Sequence, residues 1–144
     1  SSWVLITGAS RGIGAATAVR CAAAGWDVAL NFARDAAAAQ AVAARVQALG
    51  RRALPLQADV ADEAQVAAMF AQLDAAGGRL HGLVNNAGIV APASRVEDMS
   101  VERVEQLFRV NVLGSRRIGP FDVPGRSKYA STSAARFFSV RPNT

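Results

Sequence analysis

The sequence is short of the residues from which most reactive or cross-linked sites are built. It has one cysteine, Cys21, one histidine, His81, and one tyrosine, Tyr129. A lone cysteine excludes an internal disulfide, and without a Cys/His cluster there is no zinc-ligand set, so no metal site is expected. No apolar run nears the ~20 residues that a membrane-spanning helix requires, and no basic leader precedes the first apolar run, "WVLI". Repeats and blocks of five like charges are missing too. These absences describe a soluble protein, for which a cytoplasmic location is the expectation.

Net positive charge is also missing from most of the chain. Residues 1–115 hold ten arginines and ten carboxylates, and so balance. The net charge of +5 comes from Arg116, Arg117, Arg126, Lys128, Arg136 and Arg141, which Asp122 alone opposes. Such a basic segment attracts polyanions. No nucleic-acid motif accompanies it, so nucleic acid is not an expected partner.

What is present up to about residue 115 is an alternation. "WVLIT", "WDVALNF", "RALPLQ" and "HGLVNN" read as strands, nearly continuous in apolar character, as in a parallel sheet buried on both faces. Between them Ala39, Val42, Val46 and Leu49 recur at helical steps, with Asp35 as a cap and Gly50 as a stop. Val66, Phe70 and Leu73 repeat the pattern between Asp62 and Gly77-Gly78. A fourth helix is expected from Ser100, with Val104, Leu107, Phe108 and Val112 on one face. The order predicts an α/β fold of Rossmann type, a doubly wound parallel sheet with helices on both faces. The pattern then stops, because Gly119, Pro120, Pro124 and Gly125 break any long helix. Residues 1–115 therefore read as a truncated dinucleotide-binding core. Residues 116–144 read as an atypical basic segment.

The stretch "TGASRGIG" at 7–14 lies between the first strand and the first helix. In that context Gly8 makes the turn out of the strand, and Gly12 lets backbone N–H groups approach a pyrophosphate at the helix N-terminus. Gly14 lets the helix pack closely on the sheet. "NNAG" at 85–88 falls at the carboxyl end of the fourth strand, the edge at which doubly wound folds bind ligands.

The spacing G-x-x-x-G-x-G resembles the cofactor motif of the short-chain dehydrogenase/reductase family. "NNAG" resembles that family's second motif, and "ADV" at 58–60 the segment whose acid, here Asp59, contacts the adenine. "NV" at 111–112 resembles the helix position of an active-site asparagine, here Asn111. The resemblance implies a cofactor site made of Gly8, Ser10, Arg11, Gly12, Ile13, Gly14, Arg34, Asp59, Val60, Asn86, Ala87 and Gly88. "VALNFARD" is similar to members that reduce 3-oxoacyl groups or act on sugars and steroids, without selecting among them. An acid at the end of the second strand would hydrogen-bond a ribose 2′-hydroxyl and repel a 2′-phosphate. Here stands Asn31, with Arg34 following and Arg11 in the glycine loop, so NADP(H) is expected over NAD(H).

The implied chemistry is hydride transfer between a nicotinamide and a small-molecule carbonyl or secondary alcohol. The resemblance implies a tyrosine made a base at neutral pH by a lysine four residues on, a polarising serine, and an asparagine that holds a relay water. Asn111 matches the last position. "SKYA" at 127–130 resembles the end of the Y-x-x-S-K segment, making Lys128 its lysine, but this alignment sets Pro124 where the tyrosine belongs. Starting instead from Tyr129 puts Ser133 where the lysine belongs. Lys128 and Tyr129 are thus candidate catalytic residues in an irregular pattern, and the serine strand is not recognisable. The alternative to an active oxidoreductase is a cofactor-binding fragment or pseudoenzyme without the tyrosine. The resemblance also implies a homo-oligomer, dimer or tetramer, paired through helices that include that of Asn111. His81, at the opposite sheet edge, is not expected to be catalytic, and Cys21 reads as a small core residue.

Overall fold

The computed structural model describes residues 2–89 and 95–114. Strands β1 (Ser2–Ile6), β2 (Asp27–Phe32), β3 (Ala53–Gln57) and β4 (Arg79–Val84) alternate with helices α1 (Gly12–Ala23), α2 (Ala36–Ala48) and α3 (Glu63–Ala75). A short 3-10 turn (Val96–Asp98) leads into α4 (Val101–Phe108), which continues as a π-helical turn over Arg109–Gly114. The strands form one parallel sheet in the order β3-β2-β1-β4. Chain order therefore reverses beside β1, and the reversal opens a crevice at the carboxyl ends of β1 and β4.

The apolar runs become strands because both of their faces are covered. Val4, Ile6, Val28 and Leu30 join a buried layer with Ala15, Ala18 and Cys21 of α1 and Val42 and Val46 of α2. Their alternates Trp3, Leu5 and Ala29, with Leu56 of β3, join the opposite layer with Val66, Met69, Phe70 and Leu73 of α3. Each such large side chain contributes about 1.5–3 kcal/mol when fully buried.

The expected caps are in place. Asp35 accepts a hydrogen bond from Ala38 N at 2.9 Å, and Asp62 accepts one from Gln65 N at 3.1 Å. Ser100 accepts one from Arg103 N at 3.3 Å. Each bond satisfies an otherwise orphaned first-turn donor. At the far end of the sheet Asp27 is buried, and Arg51 donates to it through both Nε and Nη2, at 3.2 and 3.0 Å.

The fourth helix departs from expectation in two ways. It loosens into the π turn at Arg109, so Asn111 and Val112 do not continue the regular helical face. Its apolar stripe is also poorly covered: Val104, Phe108 and Val112 keep 50%, 55% and 47% of their surface exposed. Among the described residues, no helix is long and apolar enough to cross a membrane. No group of three potential metal ligands occurs among them either. The expected segment 116–144 lies outside the described residues.

Candidate functional site

The crevice is built by tying together three strand ends. Thr7, the first residue after β1, is buried, and its Oγ1 accepts hydrogen bonds from Asn86 N and Ala87 N, both at 2.9 Å. Asn86 returns the connection by donating through Nδ2 to the carbonyls of Thr7 and Gly8, at 3.1 and 3.0 Å. From the other side Asn31, at the end of β2, accepts from Gly8 N at 3.2 Å through Oδ1. Its Nδ2 donates to the carbonyls of Leu56 and Ala58, at 3.3 and 3.1 Å. The turn out of β1 is thus clamped between two asparagine amides.

Glycine is required here by space. Gly8 has a φ of +62°, and a Cβ on it would lie 2.9 Å from Ala87 Cα. A Cβ on Gly14 would run into the Gly8 carbonyl oxygen and stand 2.6 Å from Asn86 Nδ2. Gly12 differs, because nothing lies within 4 Å of where its Cβ would be. The backbone is open to an approaching group at that point. α1 starts there without a side-chain cap from Arg11 and without an acid in its first turn. Uncapped N–H groups and the positive end of the helix dipole favour an anion. An open groove of about 380 Å³ runs from Ser10, Arg11 and Gly12 between α1 and α2, past Ala38, Val42 and Arg45.

The remaining candidates take several positions. Ile13 is 78% exposed at the start of α1. Arg34 is exposed, one residue before the α2 cap. Arg11 is exposed and reaches Asp35 Oδ2 at 3.5 Å. Asp59 is exposed, and its carboxylate accepts from Ala61 N at 2.9 Å, closing the turn after β3. Val60 is buried and packs against Gly114, where a Cβ would stand 2.8 Å from Val60 Cγ2. Asn111 holds the main chain of Ile89 from both sides: Oδ1 accepts from Ile89 N at 2.7 Å and Nδ2 donates to Ile89 O at 2.9 Å. Gly88 lies against it, with a Cβ there 3.3 Å from Asn111 Oδ1. Lys128 and Tyr129 lie outside the described residues. Cys21 is buried in α1, and burial pushes its thiol pKa up, which disfavours the nucleophilic thiolate. His81 is exposed on β4 and faces Trp26 at a ring distance of 5.8 Å.

Two features escape a reading of the sequence. Thr7 is a polar residue that the fold buries and uses as a double acceptor. Asn31, at the strand end where an acid would meet a ribose, is 2% exposed and turned into the protein. The only signal for either is a polar residue at the end of an apolar run.

A doubly wound sheet with a glycine-lined, uncapped helix start at its order reversal is the architecture of the Rossmann-type folds. The family described as short chain dehydrogenase matches residues 2–118, and the chain belongs to that family. It is 44% identical over 110 residues to an uncharacterized oxidoreductase, YgfF, of Escherichia coli K12, covering 76% of this chain and 44% of that protein. It is 42% identical over 112 residues to an L-rhamnose 1-dehydrogenase (NAD(P)(+)) of a Sphingomonas species, covering 78% of this chain and 44% of that protein. A short chain dehydrogenase from Burkholderia cenocepacia J2315, solved in complex with NADP, superposes with a TM-score of 0.77 at 44% identity. That superposition covers 81% of this chain and 47% of the other. The chain thus spans about half the length of the relatives it matches.

Proposed function

We propose that the chain forms the cofactor-binding half of an NADP(H)-dependent oxidoreductase acting on a small-molecule carbonyl or secondary alcohol. The observation that carries this reading is the start of α1: open at Gly12, uncapped, free of acids, and fixed in shape by Asn31 and Asn86. Gly12, Ile13 and Gly14 would offer main-chain donors to a pyrophosphate, and Arg11 and Arg34 would offer guanidinium groups to a 2′-phosphate. The NADP-bound Burkholderia neighbour and the NAD(P)-dependent Sphingomonas relative support a nicotinamide cofactor here. The chemistry supplied by a bound nicotinamide is hydride transfer to or from a carbonyl or alcohol carbon. In this reading Asn111 fixes the chain at Ile89 beside the crevice, while Lys128 and Tyr129 are the candidate proton-moving groups. The protein is proposed to be cytoplasmic and to work as a homo-oligomer.

A second reading, a cofactor-binding fragment or pseudoenzyme, is favoured by Pro124 at the place of the tyrosine in the Lys128 alignment. Calorimetric titration of the 144-residue chain with NADPH and NADH tests the shared part. Saturable binding with NADPH the tighter is expected, and binding of neither cofactor overturns both readings. NADPH oxidation with an added carbonyl substrate then favours the enzyme, and binding without oxidation favours the second reading.

A further inference from the structure

We propose that Asp35 moderates the preference for NADP(H) over NAD(H) by competing with a 2′-phosphate for Arg11, while Asn31 takes no direct part in that choice. The proposal rests on the nicotinamide-cofactor reading above.

Asn31 occupies the strand end at which an acid would discriminate, but its amide is engaged inside the protein. It accepts from Gly8 N and donates to the carbonyls of Leu56 and Ala58, and only 2% of the residue is exposed. A carboxylate in its place would still accept from Gly8 but would set its second oxygen against two carbonyl oxygens. It would disturb the clamp without reaching a ribose.

Asp35 lies four residues on, at the surface, with its two oxygens divided between two tasks. Oδ1 caps α2 through Ala38 N at 2.9 Å, and Oδ2 stands 3.5 Å from Arg11 Nη2. The Arg11 side chain is 77% exposed and Asp35's is 44% exposed, so both are accessible to a ligand. A guanidinium binds a phosphate dianion well, in forked geometry. Turning its fork to a phosphate weakens the Arg11 contact with Asp35, and the carboxylate stays beside the new dianion because the helix cap holds it there. A ribose 2′-hydroxyl meets neither cost. Asp35 therefore weakens NADP(H) relative to NAD(H). Exposed charge pairs couple weakly, so the effect on the affinity ratio is about two- to fivefold.

Asp35→Asn tests this without removing the helix cap, because asparagine caps as well as aspartate. An unchanged melting temperature checks that the cap is kept. In calorimetry on the full chain at low ionic strength, D35N is expected to bind NADPH about two- to fivefold more tightly while NADH changes less. The gain should shrink in about 0.5 M salt, where exposed charges are screened. In an Arg11→Gln background the same substitution should lose most of its effect on the ratio, which a purely structural role would not predict. Asn31→Asp is expected to weaken both cofactors together. The proposal is overturned if D35N leaves the NADPH/NADH ratio unchanged, or if N31D moves the ratio toward NADH. A wild-type chain that binds neither cofactor overturns the cofactor reading, and this proposal with it. Binding of both with no response to D35N overturns this proposal alone.

Discussion

The sheet has two unlike sides. On one side β2 lies between β1 and β3, and all six of its residues are buried under α1, α2 and α3. On the other side β4 pairs only with β1 among the described strands, and none of its residues is fully buried. α4 buries no residue at all, although it carries the strongest separation of apolar and polar faces among the described α-helices. Patterning therefore does not by itself bury a surface. It prepares a face, and burial needs a neighbour to meet it. The crevice lies where the two sides join, with its clamp drawing Asn31 from the covered side and Asn86 from the sparsely covered one.

The contrast makes graded predictions, each checked by urea unfolding. Leu5 is fully buried, so Leu5→Ala should cost about 3–4 kcal/mol, whereas Leu83→Ala in β4, only half-buried, should cost less than about 1.5 kcal/mol. Equal losses would mean that the two sides are equally well packed. Gly14→Ala should cost about 1–3 kcal/mol by overpacking against Gly8 and Asn86, and should weaken NADPH binding as well. Gly82→Ala in β4 is its counterpart. The nearest atom there, Val4 Cγ2, lies at 3.4 Å, so the change should stay within about 0.5 kcal/mol. Removing a cap should cost about 1 kcal/mol for Asp62→Ala, and less for Ser100→Ala, whose helix is little packed. Val104→Ser on the exposed stripe should fall within about 0.5 kcal/mol, the smallest change of the set. A large loss there would reveal a partner surface for α4.

Much of this architecture can be read from the sequence, because the forces behind it are local or periodic. The four strands follow from dense apolar runs. The caps at Asp35, Asp62 and Ser100 follow from side chains that reach only three residues along the chain. Gly14 is legible too, since a small residue opening a helix after a strand implies close packing. The parts that stay hidden depend on distant partners. Whether Asn31 faces a ribose or the interior is decided by carbonyls of Leu56 and Ala58, which a linear reading does not bring near. The pairing of Arg11 with Asp35 spans a helix and a strand, so the sequence alone suggests two unopposed arginines, Arg11 and Arg34. The π turn and the exposure of α4 likewise depend on what lies against them. Lys128 and Tyr129 are legible only as a motif with a member out of place.

The frame around the glycine turn also has a chemical identity of its own. It consists of one hydroxyl, from Thr7, two carboxamides, from Asn31 and Asn86, and main-chain groups. None of these gains or loses a proton in the range where proteins stay folded. The cradle therefore keeps one shape from mild acid to mild base. A change of pH over that range leaves every group that holds the turn with the same charge and the same hydrogen-bonding roles.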